Sequence, residues 1–394
     1  MIIFPETPPE LKPVIIRPPV GIVSDTSIYL GVRFAQNLPD CVLTDRTAAV
    51  RMSVTVGGTL IVDEVTLTPD KERRITIPNR QFARCCIGAI ARPASFVANL
   101  PMIEVSFKSG ETAQKQSYRL ILGGIAKAVD SESAMFDFLT ANFLTAQPQI
   151  IETTPEQPQW LAFVRTQTEN ETIAEMEIRT VLYTTDGRTF TKTIGTAPEV
   201  DAYTQIDTSF GTLWREFSRE KGITPVAYDV FGVSVISRDG ATTTEQNRPL
   251  GQRYLLRPAH YDDRCFGFAN SMGGFDTLMM QGPNVLKPES EIETFVNNDV
   301  EKELSSSYTS YWEASTGYID TERMAAQYRD FLKSANRWIY TGNEWRRIIV
   351  DEFKVEHTPR ELNAYTFKYH LAERDERRLP ERKELPEIKL PTVL

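Results

Sequence analysis

The sequence predicts a mainly β protein: two antiparallel β-sandwich or barrel domains followed by a small α+β C-terminal domain. Three observations carry this expectation. Runs rich in Val, Ile, Thr and aromatics recur at short intervals between turn residues, the pattern of strands covered on one face. Asp186-Gly187 and Asp239-Gly240 lie between alternating runs, and such pairs favour tight hairpins because their turns use positive φ. Helical periodicity is confined to a few places, clearest in TERMAAQYRDFLKSANRWIY. With 394 residues, two or three domains are favoured over one core.

Residues 1–20 hold Pro5, Pro8, Pro9, Pro13, Pro18 and Pro19, each fixing φ and removing a backbone donor. They read as an extended arm that could lie along a neighbouring subunit. Residues 21–147 form the first expected sandwich, with strands in SIYLGVRF, VRMSVTVGGTLIVDEVTLTP, RITIP, MIEVSFKSG and SYRLILGG. A short helix near Ser131 to Ala146, carrying Met135, Phe136, Leu139 and Phe143, closes it.

The proline-rich break from Gln147-Pro148 to Gln157-Pro158 marks the boundary to a second sandwich, residues 148–256. Its strands are WLAFVRTQ, AEMEIRTVLYTTDGRTFTKTIG, YTQIDTSF, VAYDVFGVSVISRDGATT and RYLLRP, with a helical turn expected around Leu213, Trp214 and Phe217. Residues 257–287 read as a junction. There Phe266, Phe268 and Phe275 clamp the second sandwich to the C-terminal domain, Gly273 or Gly274 permits a sharp turn, and Asn270 or Asp276 caps it.

In the C-terminal domain, residues 288–374, the polar stretch Asn297 to Gly317 suits surface strands. A helix capped by Asp320 follows, then strands from Trp345 to His357 and from Tyr365 to Leu371. Residues 375–394 mix dense charge with Pro380, Pro386 and Pro391, a tail without enough apolar surface to fold alone. Trp312, Trp338 and Trp345 stand out as candidate interface aromatics, since tryptophan anchors both cores and protein interfaces.

The charge balance argues against broad classes of partner. A net charge of −9 disfavours nucleic acid and anionic membrane, which need clustered Lys and Arg. No run approaches the ~18 apolar residues that span a bilayer. The N-terminus lacks the pattern of a signal peptide, which points to synthesis in the cytoplasm. Cys41, Cys85, Cys86 and Cys265 form no CxxC pair and read as small apolar residues.

Catalytic and metal patterns fare poorly. Asp25-Thr26-Ser27 and Asp207-Thr208-Ser209 repeat in the manner of a two-carboxylate protease, but Ser stands where that chemistry needs a turn-forming Gly. His260-Tyr261-Asp262-Asp263 has no third ligand at useful spacing. Gly57-Gly58, Gly123-Gly124 and Gly273-Gly274 lie in no phosphate loop. The expectation is a protein with no catalytic residue, cofactor or metal.

Two stretches, FGFANSMGGFDTLMMQG and the run from GYIDTERMAAQYRDFLKSANRWIY through WRRIIVDEFKVEHTPRELNAYTFKYHLAERDE, together resemble virion and tail-associated structural proteins of Bacteroidetes phages and prophages. The resemblance spans residues 257–376 and brings no catalytic residues with it. It implies a structural protein of a phage tail or baseplate, a homo-oligomeric adaptor between tail tube or hub and peripheral fibres. Its partners would be other tail or baseplate proteins, and its place the virion, after synthesis in the bacterial host. The competing expectation is a carbohydrate-binding or receptor-binding β protein that uses exposed Trp and Tyr.

Overall fold

The computed structural model describes residues 14–16, 26–38, 40–83, 91–109, 112–125, 132–165, 173–197, 201–238, 242–297, 300–319, 321–342, 344–356, 358, 361 and 363–373. The architecture is mainly β, with five sheets among these residues. The arm apart from Val14–Ile16, Asp25, Cys85, Cys86, Asp239-Gly240, Asp320 and residues 374–394 lie outside the described residues.

The first part of the chain pairs a five-stranded sheet with a three-stranded one. The larger is ordered Thr26–Phe34, Thr112–Ile121, Met102–Ser109, Val50–Val56, Thr59–Leu67, and the smaller Val14–Ile16, Cys41–Leu43, Ile75–Ile77. Alternation decides what faces inward. Val50, Met52, Val54 and Val56 are buried, and they meet Cys41, Leu43, Ile75 and Ile77 of the smaller sheet in one core. Burial pushes the Cys41 thiol up to about 12, consistent with an inert apolar role.

A second five-stranded sheet is ordered Ile150–Thr153, Thr242–Leu256, Pro225–Arg238, Ile173–Thr184, Thr189–Ala197. It faces the three-stranded sheet Trp160–Val164, Ala202–Asp207, Phe96–Asn99. The apolar run WLAFV follows from its position, because every residue of Trp160–Val164 is buried. Leu161 and Phe163 enter the second core, whereas Ala162 and Val164 enter a bridging core with Val32, Phe34, Ile121, Met135 and Leu139.

Several local expectations are corrected here. Phe96–Asn99, from within residues 21–147, pairs with Ala202–Asp207, so the sheets do not divide at residue 147. The proline-rich break contains a strand, Ile150–Thr153. Three pairings are parallel rather than antiparallel, because the chain crosses between sheets before pairing. At the Asp186-Gly187 turn only Gly187 takes positive φ (79°). Thr184 and Asp186 close that turn by side-chain hydrogen bonds, a longer loop than the tight two-residue form.

The third part is a seven-stranded sheet ordered Phe275–Met280, Arg264–Ala269, Arg337–Tyr340, Trp345–Lys354, Thr366–Leu371, Val300–Ser315, Asn284–Asn297. The helix Glu322–Lys333 covers one face, burying Ala325, Tyr328, Phe331 and Leu332 against Phe266, Phe268, Phe367 and Tyr369. Thr321 is its N-cap, accepting from the Met324 N–H at 3.2 Å. The helix stops at Lys333, so ArgTrpIleTyr at 337–340, expected inside the helical run, is a strand. The supposed junction is itself sheet: its two segments form the hairpin Arg264–Ala269 and Phe275–Met280.

Candidate functional site

The turn between those two strands is where all parts of the chain meet. Asn270 closes it, its Oδ1 accepting from the Met272 and Gly274 N–H groups at 3.0 and 2.9 Å. Its Nδ2 donates to the Leu144 carbonyl at 2.9 Å, which ties the turn to the segment after the Glu132–Ala141 helix. On the other side the Gly124 N–H donates to the Ser271 carbonyl at 2.7 Å, just beyond the first large sheet. The Ser271 N–H donates to Asp330 of the C-terminal helix at 2.9 Å.

This convergence explains the paired glycines. Gly273 has φ of +89°, and a Cβ there would stand 2.8 Å from the Leu122 carbonyl oxygen. A Cβ on Gly274 would stand 1.8 Å from the Leu144 carbonyl oxygen, so backbone meets backbone without room for a side chain.

The following residues bind the second part of the chain. Phe275 is 1% exposed and packs edge-on against Trp160 at 5.4 Å, with Trp338 and Trp345 at 5.4 and 5.7 Å. Asp276, also 1% exposed, accepts from the Thr145 hydroxyl at 2.6 Å and the Ala146 N–H at 3.1 Å. Thr277 receives the Gln147 amide on its carbonyl at 2.9 Å and donates through its hydroxyl to Gln159 at 2.7 Å. Gln157 joins the same network through its amide.

Burial raises the Asp276 carboxyl to about 7. The donors Thr145 and Ala146 pull it back down, and nearby Asp330 pushes it up. Asp330 is itself raised by burial.

Of the residues expected to pack a junction, Asn270, Gly273, Gly274, Phe275 and Asp276 occupy this joint. Phe266 and Phe268 do not. They lie on the face opposite Phe275 and pack on Phe331, because residue parity in Arg264–Ala269 turns them to the helix. Trp312 stacks on Tyr369 at 5.6 Å, while Trp338 and Trp345 belong to the ring cluster around Phe275. All three candidate interface tryptophans therefore have ring partners within the chain. Sequence reasoning misses Thr145, Gln147, Gln157, Gln159 and Trp160. The density of Gln in QPQIIETTPEQPQW is the available signal, hidden by its prolines.

Asp207 closes a turn. Its carboxylate accepts from the Ser209 N–H and the Thr212 hydroxyl, both at 2.8 Å, at the start of the helical turn Phe210–Leu213. Asp263 is held by a two-pronged contact with Arg257 at 2.8 Å. Among the described residues no group of three or more His, Cys, Asp or Glu is arranged to hold a metal ion. No helix among them is long and apolar enough to cross a membrane.

Away from the joint, the strands Asn284–Asn297 and Val300–Ser315 run far beyond their sheet. The rest of the sheet pairs only with Tyr311–Ser315. From Pro288↔Ser310 to Asn297↔Val300 the two strands pair with each other alone among the described residues. This free ribbon extends roughly 30 Å. It exposes Ile292, Phe295, Val296 (71%), Val300 and Leu304 (65%). In the first five-stranded sheet, Thr59–Leu67 is an exposed edge strand carrying Leu60, Ile61 and Val65. A register shift beside Glu64, which has φ of +41°, interrupts it.

No family model matches the chain, and no curated protein matches it. Solved structures with a likeness include tandem immunoglobulin domains of titin, at 9% identity and TM-score 0.21, covering 61% of this chain and 97% of that one. The N-terminal four immunoglobulin domains of a Dscam1 isoform follow at 6% identity and TM-score 0.16, covering 75% and 73%. A Salmonella alpha-2-macroglobulin mutant gives 10% identity and TM-score 0.18, covering 83% of this chain and 23% of that one.

Proposed function

We propose that the chain is a structural assembly protein of a phage tail or baseplate, an oligomeric adaptor between a tube or hub and peripheral fibres. In this reading two sandwich units set rigid spacing and a C-terminal α+β unit carries the contacts. The observation that carries it is the projecting ribbon. An isolated two-stranded ribbon is at best marginally stable in water, and this one ends in exposed Phe295, Val296, Val300 and Leu304. A partner that covers those side chains supplies what the ribbon lacks. The resemblance of residues 257–376 to phage tail proteins points to the same class.

The test is assembly. Sedimentation at tens of micromolar should give a defined oligomer, or the protein should be recovered with purified particles. Changing Phe295, Val296 and Leu304 together to Ser should weaken assembly while leaving the unfolding midpoint unchanged. A chain that stays monomeric and is absent from particles refutes the proposal. The carbohydrate-binding alternative would use Trp312 and Trp345, each half-buried with a ring partner within the chain. Binding on a broad glycan array would favour it.

A further inference from the structure

Beneath the C-terminal helix lies a cleft of about 570 Å³ whose lining residues fall between 147 and 328. Its two walls are sheet edges. Ile150–Thr153 is outermost in its five-stranded sheet and Phe275–Met280 is outermost in the seven-stranded sheet. Both contribute lining residues: Ile150, Ile151 and Glu152 from one, Thr277, Leu278 and Met279 from the other. The second edge is occupied by side chains, with Gln147 donating to the Thr277 carbonyl and Tyr328 to the Met279 carbonyl at 3.1 Å. The first pairs on one side with Thr242–Leu256 and has no strand on its other side among the described residues, with Ile150 55% exposed.

Three further observations describe what fits. Gln147 is 4% exposed and lines the cleft, and its Oε1 has no hydrogen-bond partner among the described residues. A buried acceptor in that state calls for a donor such as a backbone N–H. The N-terminus of the Glu322–Lys333 helix opens on the cleft through Thr321, Arg323 and Met324, which favours negative charge. Tyr318, 74% exposed, offers a flat ring to a cleft that Met324 and Ile150 also line, a surface suited to proline rings.

We infer that this cleft is a docking groove for an extended, acidic, proline-rich segment, and that the segment is residues 1–13 of a second copy of the chain. The inference rests on the assembly reading and names one of its contacts. Residues 1–13, MIIFPETPPELKP, carry Pro5, Pro8, Pro9 and Pro13, and Glu6 and Glu10 against Lys12 leave one net negative side-chain charge. In an extended polyproline conformation 13 residues reach about 40 Å. Residues 374–394 fit less well, since six basic residues against five acidic ones bring positive charge toward Arg323.

Residues 1–13 lead into Val14–Ile16, an edge strand of the first small sheet, and the cleft takes no lining residue from that part of the chain. Arm of one copy in cleft of the next is a head-to-tail contact, which closes into a ring or continues as a filament.

A charge exchange in the full-length protein tests this. Arg323→Glu alone and the arm variant Glu6→Lys with Glu10→Lys alone should each weaken oligomerisation at least tenfold by sedimentation. Combining all three changes should recover most of the loss. Tyr318→Ala should weaken it independently, and an excess of synthetic peptide 1–13 should dissociate the wild-type oligomer. Circular dichroism controls for folding, and the arm variant leaves the cleft untouched.

An oligomer indifferent to both the arm variant and the peptide overturns the inference while leaving assembly through the ribbon intact. A full-length protein that is monomeric throughout overturns the assembly reading itself. Crosslinking of the arm to its own cleft within a monomer overturns the assignment to a second copy.

Discussion

Asp276 makes the joint sensitive to pH, and the sign is fixed by the direction in which burial moves its carboxyl, from 3.8 to about 7 in the folded chain. Below pH 3.8 it is neutral in both folded and unfolded states, and the full stability is present. As pH rises, the unfolded chain ionises while the folded chain keeps its proton, so stability falls until pH passes about 7 and is flat beyond. That displacement corresponds to about 4 kcal/mol in all, of which about 3 kcal/mol falls between about pH 5 and pH 8.

Asp276→Asn keeps the volume and one acceptor but removes the charge, at a cost of about 1 kcal/mol for the contact with Thr145 or Ala146 that an amide cannot reproduce. Trp160, Trp338 and Trp345 surround neighbouring Phe275, so tryptophan emission during urea unfolding reports on this joint. Wild type should lose stability from about pH 5 to pH 8, and the variant should lose about 3 kcal/mol less over the same interval. Equal losses in the two proteins would show that Asp276 ionises as an ordinary carboxylate and refute the argument.

Other perturbations separate the remaining contacts. Gly274→Ala places a Cβ against the Leu144 carbonyl, and should lower stability by roughly 2–4 kcal/mol, read as a drop in thermal midpoint. Trp160→Ala removes the ring facing Phe275 and Trp345 and should cost roughly 3–5 kcal/mol in urea unfolding. Thr321→Ala leaves the Met324 N–H without its cap and should cost about 1 kcal/mol, measurable by the same unfolding assay.

Much of the fold is legible in the sequence because alternation and burial coincide. Arg51 to Val56 reads as a one-faced strand, and the even-numbered residues do point inward. Local reading fails where both faces are covered or where pairing is distant. Phe96–Asn99 is only four residues long, and nothing local announces a partner more than a hundred residues away. ArgTrpIleTyr at 337–340 reads as a continuation of the helix because Ser334 ends that helix without a glycine or proline to mark the stop. The ribbon strand Asn284–Asn297 is obscured by Pro288, which discourages a strand assignment except at an edge, where this one lies. The joint is half legible. Glycines and Asn270 signal a tight turn by themselves, whereas among the residues that receive it Thr145 has no local signature and Gln147 belongs to a Gln-rich run hidden by its prolines.

The joint and the ribbon divide the work of the C-terminal sheet between its two edges. At the Phe275–Met280 edge, Asp276 and Thr277 are met by partners from the same chain, chiefly Thr145, Gln147 and Gln159. That edge fixes the sheet against the rest of the molecule. At the Asn284–Asn297 edge the strands leave the sheet and carry apolar side chains into solvent. A sheet held rigidly at one edge transmits position to the other, because seven paired strands cannot shift register without turning buried faces outward. A ribbon mounted in this way is presented at a defined angle and distance from the cleft beneath the helix. If residues 1–13 occupy that cleft in a neighbouring copy, each protomer's ribbon is set by contacts made at the opposite end of its own sheet. Weakening the joint through Gly274→Ala should then reduce assembly even with the ribbon and cleft residues intact, whereas a joint unrelated to assembly would lower thermal stability alone.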